Sequence, residues 1–288
     1  MKKCLNQITV NLPTLNEEAN IRKCIDRIRR AGITKIIVVD GGSKDKTKLI
    51  LKKLKVKFYE TYNKGLAFQR NLAIKKTKTK YVAIINADER VQKNTFQIML
   101  KDLKNNKAKC AGVQCKMISS NKKKNYIVNA FQTLVDINSN KKGLRNMIGS
   151  PTLWKTSIIK RNNWDPFFTG PSDDTDLCYR LSKKGYFFGS SEAIVENAHR
   201  VNFFQYINKF LWYGKGDAQF IIRHPERLFH ILKHQLYNYP LKFSFIAIIK
   251  LRLLYFPFFI VTGYTRFFGM FLFLIKSLFR VPEKIYRT

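Results

Sequence analysis

Four short apolar runs recur within the first hundred positions, separated by stretches with helical spacing. The runs are residues 8–12, 35–40 (KIIVVD), 56–59 and 81–85 (YVAII). Between them, residues 17–30 carry Ile21, Cys24, Ile25 and Ile28 at helical intervals, and 45–54 and 65–76 read as two more helices. Apolar strands without polar alternation are buried on both faces. The pattern therefore predicts an α/β fold whose parallel sheet is covered by helices on either side. In open sheets of this kind ligands sit beyond the carboxyl ends of the strands. That rule directs attention to residues 13–17, 40–43 and 86–89.

Three acidic clusters fall on those positions: Asn16-Glu17-Glu18, Asp40, and Asp88-Glu89. Converging on one sheet edge, they could meet ribose hydroxyls, a nucleobase edge and a divalent cation. Each also has a local reading. Glu17 and Glu18 favour a helix N-terminus, and Asp40 suits a turn.

Charge narrows the partners. Lys and Arg number 54 against 19 Asp and Glu, a formal +35, which attracts nucleic acid, an anionic membrane or phosphorylated substrates. A hydrophobic content of 45% excludes wholesale disorder. The five cysteines form no C-x-x-C pair and read as reduced thiols of a cytosolic compartment. The first residues hold no apolar run of signal-peptide length, so the catalytic part is expected in the cytoplasm.

The last third changes character. Phe203, Phe204, Ile207, Phe210 and Leu211 form one helical stripe, and residues 253–275 carry only one charge, Arg266. That stretch is long enough to span a bilayer. Pro257, Gly263, Arg266 and Gly269 fit equally well a helix lying in the interface. The expected organisation is a catalytic domain over 1–200, with a nucleotide-binding half (1–104) and an acceptor half (105–200). A helical membrane-associated region follows over 201–288.

Five segments occur in a telling order: Pro13-Thr14-Leu15-Asn16-Glu17, Val38-Val39-Asp40-Gly41-Gly42-Ser43, Gly65-Leu66-Ala67-Phe68-Gln69-Arg70-Asn71, Asn86-Ala87-Asp88, and Asp173-Asp174-Thr175-Asp176-Leu177-Cys178-Tyr179-Arg180. Together they resemble the family 2 glycosyltransferases of GT-A fold, a Rossmann-like nucleotide-diphospho-sugar transferase domain. Asn86-Ala87-Asp88 sits where that family has its D-x-D metal motif, with the second, ligating aspartate kept. The last segment is similar to the E-D-x-D-L-x-x-R stretch bearing the catalytic base, its leading Glu shortened to Asp. Tyr213-Gly214-Lys215-Gly216-Asp217 resembles a further stretch of membrane-associated members, and its paired glycines suggest a turn.

The resemblance implies an inverting transferase that moves a sugar from a nucleotide-diphosphate donor to a lipid-linked or cell-surface glycan acceptor at the cytoplasmic membrane face. Such an enzyme would serve cell-envelope polysaccharide synthesis. Donor contacts are expected from Pro13, Asn16, Glu17, Asp40, Gly42, Ser43, Arg70, Asn86, Ala87 and Asp88. Mg²⁺ or Mn²⁺ is expected on Asp88 with His199, and the base is Asp174 with Asp173 beside it. The chemistry agrees with these residue types. A departing nucleoside diphosphate carries concentrated charge that a divalent cation offsets, and the attacking hydroxyl needs a carboxylate to take its proton. One base without a second nucleophilic carboxylate argues for single displacement. On this reading Asn86→Asp is tolerated. Arg180 either turns inward to hold the acidic cluster or a phosphate or is solvated, and Trp154 and Trp164 either stack on a sugar or fill the core. Two alternatives stay open. A polyprenyl-phosphate sugar synthase needs no base, its acceptor being already anionic. A polyanion-binding protein would explain the charge, although the chain carries no nucleic-acid motif.

Overall fold

A computed structural model describes residues 2–119, 126–138, 143–197, 202–249 and 252–279. The chain divides into two compact units. The first comprises Met1–Lys122, Ser139–Pro166 and Asp174–His199, and the second Lys123–Asn138, Phe167–Asp173 and Arg200–Thr288.

In chain order the elements are α1 (Lys2–Leu5), β1 (Ile8–Thr14), α2 (Ile21–Arg30), β2 (Ile36–Asp40), α3 (Thr47–Lys53), β3 (Lys57–Glu60), α4 (Gly65–Lys76), β4 (Tyr81–Ile84), β5 (Glu89–Val91), α5 (Thr95–Asn105) and β6 (Cys110–Ser119). After α6 (Tyr126–Asn138) come β7 (Leu144–Arg145), β8 (Thr152–Lys155), α7 (Thr156–Asn162), α8 (Asp173–Lys183) and β9 (Phe187–Asn197). One sheet runs β3-β2-β1-β4-β8-β6-β9-β5, with β7 paired to β9.

Its first four strands are parallel, as the apolar runs predict. Thr14 pairs with Asp40 and Asn11 with Ile84, so the carboxyl ends of β1, β2 and β4 lie side by side. Beyond β4 the expectation of a wholly parallel sheet fails. β8 is antiparallel to both β4 and β6, and β5 is antiparallel to β9. An apolar run buries the same surface whichever way it points, so composition carries no record of strand direction.

Alternate strand residues feed two cores. Val10, Leu12 and Val38 pack with Ile21, Ile25 and Ile28 of α2 and with Phe96, Met99 and Leu103 of α5. Val82, Ile84, Trp154 and Phe188 meet Ala67 and Ile74 of α4, Ile158 and Ile159 of α7, and Leu177 and Leu181 of α8. Helix α2 stops at Gly32 (φ +87°), where Ile33 N–H reaches back to the Ile28 carbonyl at 3.3 Å.

The second unit contains α6, the 167–173 segment, α9 (Phe203–Arg223), α10 (Leu228–Lys233), a π-helical stretch His234–Phe243, α11 (Ser244–Ile249) and α12 (Phe256–Leu278). Asn202 and Gln205 form a reciprocal capping box that starts α9. The glycines of 213–217, expected in a turn, lie inside this helix. They are there because backbones meet: a Cβ at Gly214 would sit 2.2 Å from the Arg266 carbonyl, and one at Gly269 would sit 2.4 Å from that of Leu211. α9 and α12 therefore cross at a contact only glycine permits. Arg266, midway along α12, is held by Asp217 of α9 through Nε–Oδ2 (2.5 Å) and a second nitrogen to Oδ1 (2.7 Å). Gln235 also donates to Asp217 Oδ2 at 2.7 Å, and Arg266 donates to the Tyr239 hydroxyl at 3.0 Å. Among the described residues one stretch, Leu253–Leu278, is long and apolar enough to cross a membrane, with mean hydropathy 1.8.

Candidate active site

Two loops at the carboxyl edge of β1 and β2 are joined by their own hydrogen bonds. Asn16 adopts a left-handed backbone (φ 55°), which asparagine tolerates. Its N–H donates to Ser43 Oγ at 2.8 Å, and its Oδ1 accepts from Lys44 N–H at 2.9 Å. Glu17 N–H donates to Thr47 Oγ1 at 2.8 Å. Pro13 fits in this central strand because β1–β4 pairing ends at Asn11, so its missing N–H leaves no ladder bond unmade.

Asp40 is wholly buried. Its Oδ1 accepts from the N–H groups of Gly42 (3.0 Å) and Ser43 (2.8 Å), and its Oδ2 accepts from the Ser43 hydroxyl (2.5 Å). A carboxylate that the sequence aimed at ribose or base is thus engaged in shaping the loop. Gly42 makes that turn possible with φ +98°.

The loop after β4 carries the second acidic group. Asp88 is half-buried, and its charge raises the pKa of two neighbouring carboxyls. Burial pushes Glu17 up, with Asp88 and Asp45 adding to the effect. Glu89, read from sequence as part of the third acidic cluster, is buried, and desolvation followed by the Asp88 charge raises it to about 8. It accepts from Asn86 N–H (2.9 Å), Asn86 Nδ2 (3.1 Å) and Ser150 Oγ (2.9 Å). This explains why position 86 is asparagine. An aspartate there would remove the Nδ2 donor that Glu89 accepts from, so Asn86→Asp, tolerated on the sequence reading, is expected to disturb this loop. Ala87 is buried beneath the same loop.

The third group lies at the start of α8. Asp174 Oδ1 receives Arg70 of α4 at 2.8 Å and Trp164 Nε1 at 2.9 Å. Arg70, expected as a donor contact, is only 3% exposed, and its guanidinium stands 5.6 Å from the Trp164 ring. Asp176 pairs with Arg180 at 2.8 Å, and Arg180 also bonds the carbonyls of Asn162 and Asn163 at 2.7 Å each. Arg180 thus closes the end of α7 and is not a solvated helix residue. Trp154 packs edge-on between Trp164 and Phe188 in the core. Asp173 is buried. His199 lies outside the described residues.

Gly149 and Ser150 connect the two acidic sites. Ser150 holds Glu89, the neighbour of Asp88, and a Cβ at Gly149 would come within 3.4 Å of Asp174 Oδ2. A glycine there leaves the carboxylate uncovered by a side chain at that position. The Gly149-Ser150 pair thus lies between Asp174 and the loop that carries Asp88 and Glu89.

Residues 9–162 match the family model described as Glycosyl transferase family 2, more than half of the chain. The chain belongs to that family. Curated relatives named as glycosyltransferases match parts of it. It is 31% identical over 116 residues to an uncharacterized glycosyltransferase of Rickettsia conorii, covering 36% of this chain and 19% of that one. It is 28% identical over 105 residues to the glycosyltransferase GlyA of Streptococcus pneumoniae, covering 34% and 15%. These matches span under a fifth of the length of either relative.

Solved structures extend the likeness of fold to most of the chain. S. aureus TarS superposes with TM-score 0.52 at 15% identity, covering 93% of this chain and 55% of that one. Glucosyl-3-phosphoglycerate synthase from Mycobacterium tuberculosis, crystallised with Mg²⁺ and UDP, gives 0.56 at 14% identity, covering 77% and 83%. This family 2 chain therefore has a GT-A-like mixed sheet with helices, followed by a helical, apolar C-terminal region.

Proposed function

We propose that this glycosyltransferase moves a sugar, with inversion, from a nucleoside-diphosphate donor to an acceptor hydroxyl, using Asp174 as base. The observation that carries this reading is that consecutive Gly149 and Ser150 reach, one to Asp174 and the other to Glu89, the chain neighbour of Asp88. The acceptor oxygen attacks the anomeric carbon, its proton passes to Asp174, and the bond to the diphosphate breaks with its electron pair on the departing phosphate. Arg70 and Trp164 hold the carboxylate during that transfer. Asn16, Ser43 and Gly42 form the loop against which the nucleotide lies.

The acidic loop fits Mg²⁺ or Mn²⁺. Asp88 supplies a hard oxygen, and its repulsion on Glu17 and Glu89 is relieved by a cation. Among the described residues no group of three or more His, Cys, Asp or Glu could hold an ion. Mg²⁺ and Mn²⁺ commonly take most of their ligands from substrate phosphates and water. A divalent ion on Asp88 would offset the charge of the leaving diphosphate. Crystals of the M. tuberculosis synthase with Mn²⁺ and UDP-glucose support the same donor chemistry here.

The test is a panel of sugar nucleotides assayed for metal-dependent hydrolysis and thermal stabilisation. One or more should both raise Tm and turn over. A panel without either response would defeat the assignment of donor class.

The acceptor is proposed to be lipid-linked, met at a membrane face by the second unit. Among the described residues only five large exposed apolar side chains lie in the first unit (Leu49, Tyr62, Ile118, Leu144, Met147), and all others lie in the second. Residues 201–288 carry thirteen Lys and Arg against three Asp and Glu, each cation near an anionic surface contributing about 1 kcal/mol. α12 exposes Val261, Tyr264, Phe268, Phe271 and Leu272 on one stripe and buries Phe259, Thr262, Gly263 and Met270 on another. Spanning would have to break the Arg266–Asp217 pair or carry both charges into lipid, so the helix lies in the interface. The protein should float with phosphatidylglycerol vesicles and be extracted by alkaline carbonate. Resistance to carbonate would mean a span, and failure to float would remove the membrane from this account. A phosphate acceptor would need no base, which the Asp174→Asn experiment below decides.

A further inference from the structure

We propose that Trp164 and Asn71 are positioning residues for the proton transfer, Trp164 fixing the Asp174 carboxylate and Asn71 fixing Trp164. The proposal rests on the reading of Asp174 as base.

A tryptophan that only fills a core needs nothing from its N–H except a partner. Here that partner is the one carboxylate oxygen that Arg70 also holds. Trp164 Nε1 and the Arg70 guanidinium converge on Asp174 Oδ1 at 2.9 and 2.8 Å. Two donors arriving from different elements fix the plane of the carboxylate, and with it the direction of Oδ2. The indole is 1% exposed and stands at 80° to Trp154, ring centroids 6.4 Å apart, so the ring has little room to turn.

The backbone of Trp164 is held as firmly as its ring. Asn71 Nδ2 donates to the Trp164 carbonyl at 2.7 Å, and Trp164 N–H donates to Asn71 Oδ1 at 2.9 Å. One side-chain amide therefore clamps both peptide groups of a residue 93 positions away in sequence. Arg70 and Asn71 are neighbours on α4, so this helix reaches the base by two routes. Arg70 goes directly, and Asn71 goes through Trp164. The Arg-Asn pair that reads in sequence as part of a donor motif acquires a second task, the alignment of the base.

Alignment matters because a misplacement near 1 Å can cost about 10²-fold in rate. Trp164→Phe keeps the aromatic packing and removes the N–H, and Asn71→Ala releases Trp164 without touching Asp174. The experiment measures kcat and KM for hydrolysis of the sugar nucleotide chosen by the donor panel, alongside its thermal shift. Trp164→Phe should lower kcat about 10- to 100-fold with KM and thermal shift unchanged, and Asn71→Ala should move kcat the same way by less. In an Asp174→Asn background, Trp164→Phe should add no further loss, whereas a purely structural role would still add its own. If Trp164→Phe fails to fold, Asn71→Ala in both backgrounds carries the test. Folded variants with kcat within about twofold of the parent would overturn the positioning role while leaving the base assignment intact. An active Asp174→Asn would instead remove the base, and the proposal with it.

Discussion

Asp174→Asn is expected to bind the sugar nucleotide as the parent does and to lose about 10²–10⁴-fold in turnover, the usual contribution of a general base. The change is nearly isosteric. Its amide oxygen still accepts from Trp164 and Arg70, which reach Oδ1 at 2.9 and 2.8 Å, so the start of α8 should hold its place. What disappears is the capacity to take a proton. Arg70, almost wholly buried, also loses its counter-charge, so Tm should fall by a few degrees without loss of the fold. The informative quantity is the contrast between an unchanged Kd, measured by calorimetry, and a collapsed kcat. Equal losses in both would mean that Asp174 contacts the donor. Full turnover would instead favour an acceptor that arrives already ionised, as a polyprenyl phosphate does.

Asp88→Ala should abolish transfer and leave the protein at least as stable as its parent. The side chain is half-buried in the loop after β4, outside both cores, so its removal opens no cavity. Its charge also raises the pKa of Glu17 and Glu89, after the larger effect of burial on each, and that contribution vanishes with it. Parent enzyme in chelator should behave like the variant and recover with Mn²⁺ or Mg²⁺. Activity undiminished in chelator, or an Asp88→Ala enzyme that still turns over, would end the metal assignment. A sharp fall in Tm would show that the loop depends on Asp88 for its shape.

Local chemistry alone fixed a good deal of this protein. Strand–helix alternation gave β1, β2, β3 and β4 within two residues of their observed limits and α4 at its observed bounds, because buried strands and amphipathic helices leave different periodicities in a chain. The same pattern located the loops at the carboxyl edge, and the order of five motifs pointed to the family. Other features depend on partners far apart in sequence, and no local pattern could carry them. Strand direction beyond β4 is one, since apolar runs are indifferent to it. The place of α6 is another: it belongs to the second unit, where Ala130, Leu134 and Ile137 pack with Tyr206, Phe210 and Phe259, although composition changes only near residue 200. Position 86 looked like a lapse in a metal motif until Glu89 proved to need its amide. Gly214 and Gly216 looked like a turn because a glycine's demand for backbone space is written on the helix or loop that meets it. Asp40, Arg70 and Trp164 make the same point at the site. The sequence named two of them as donor contacts and left the third undecided. Only the tertiary structure engages Asp40 in its own loop and brings Arg70 and Trp164 to one oxygen of Asp174, because hydrogen bonds and ion pairs are decided by which groups share a buried space.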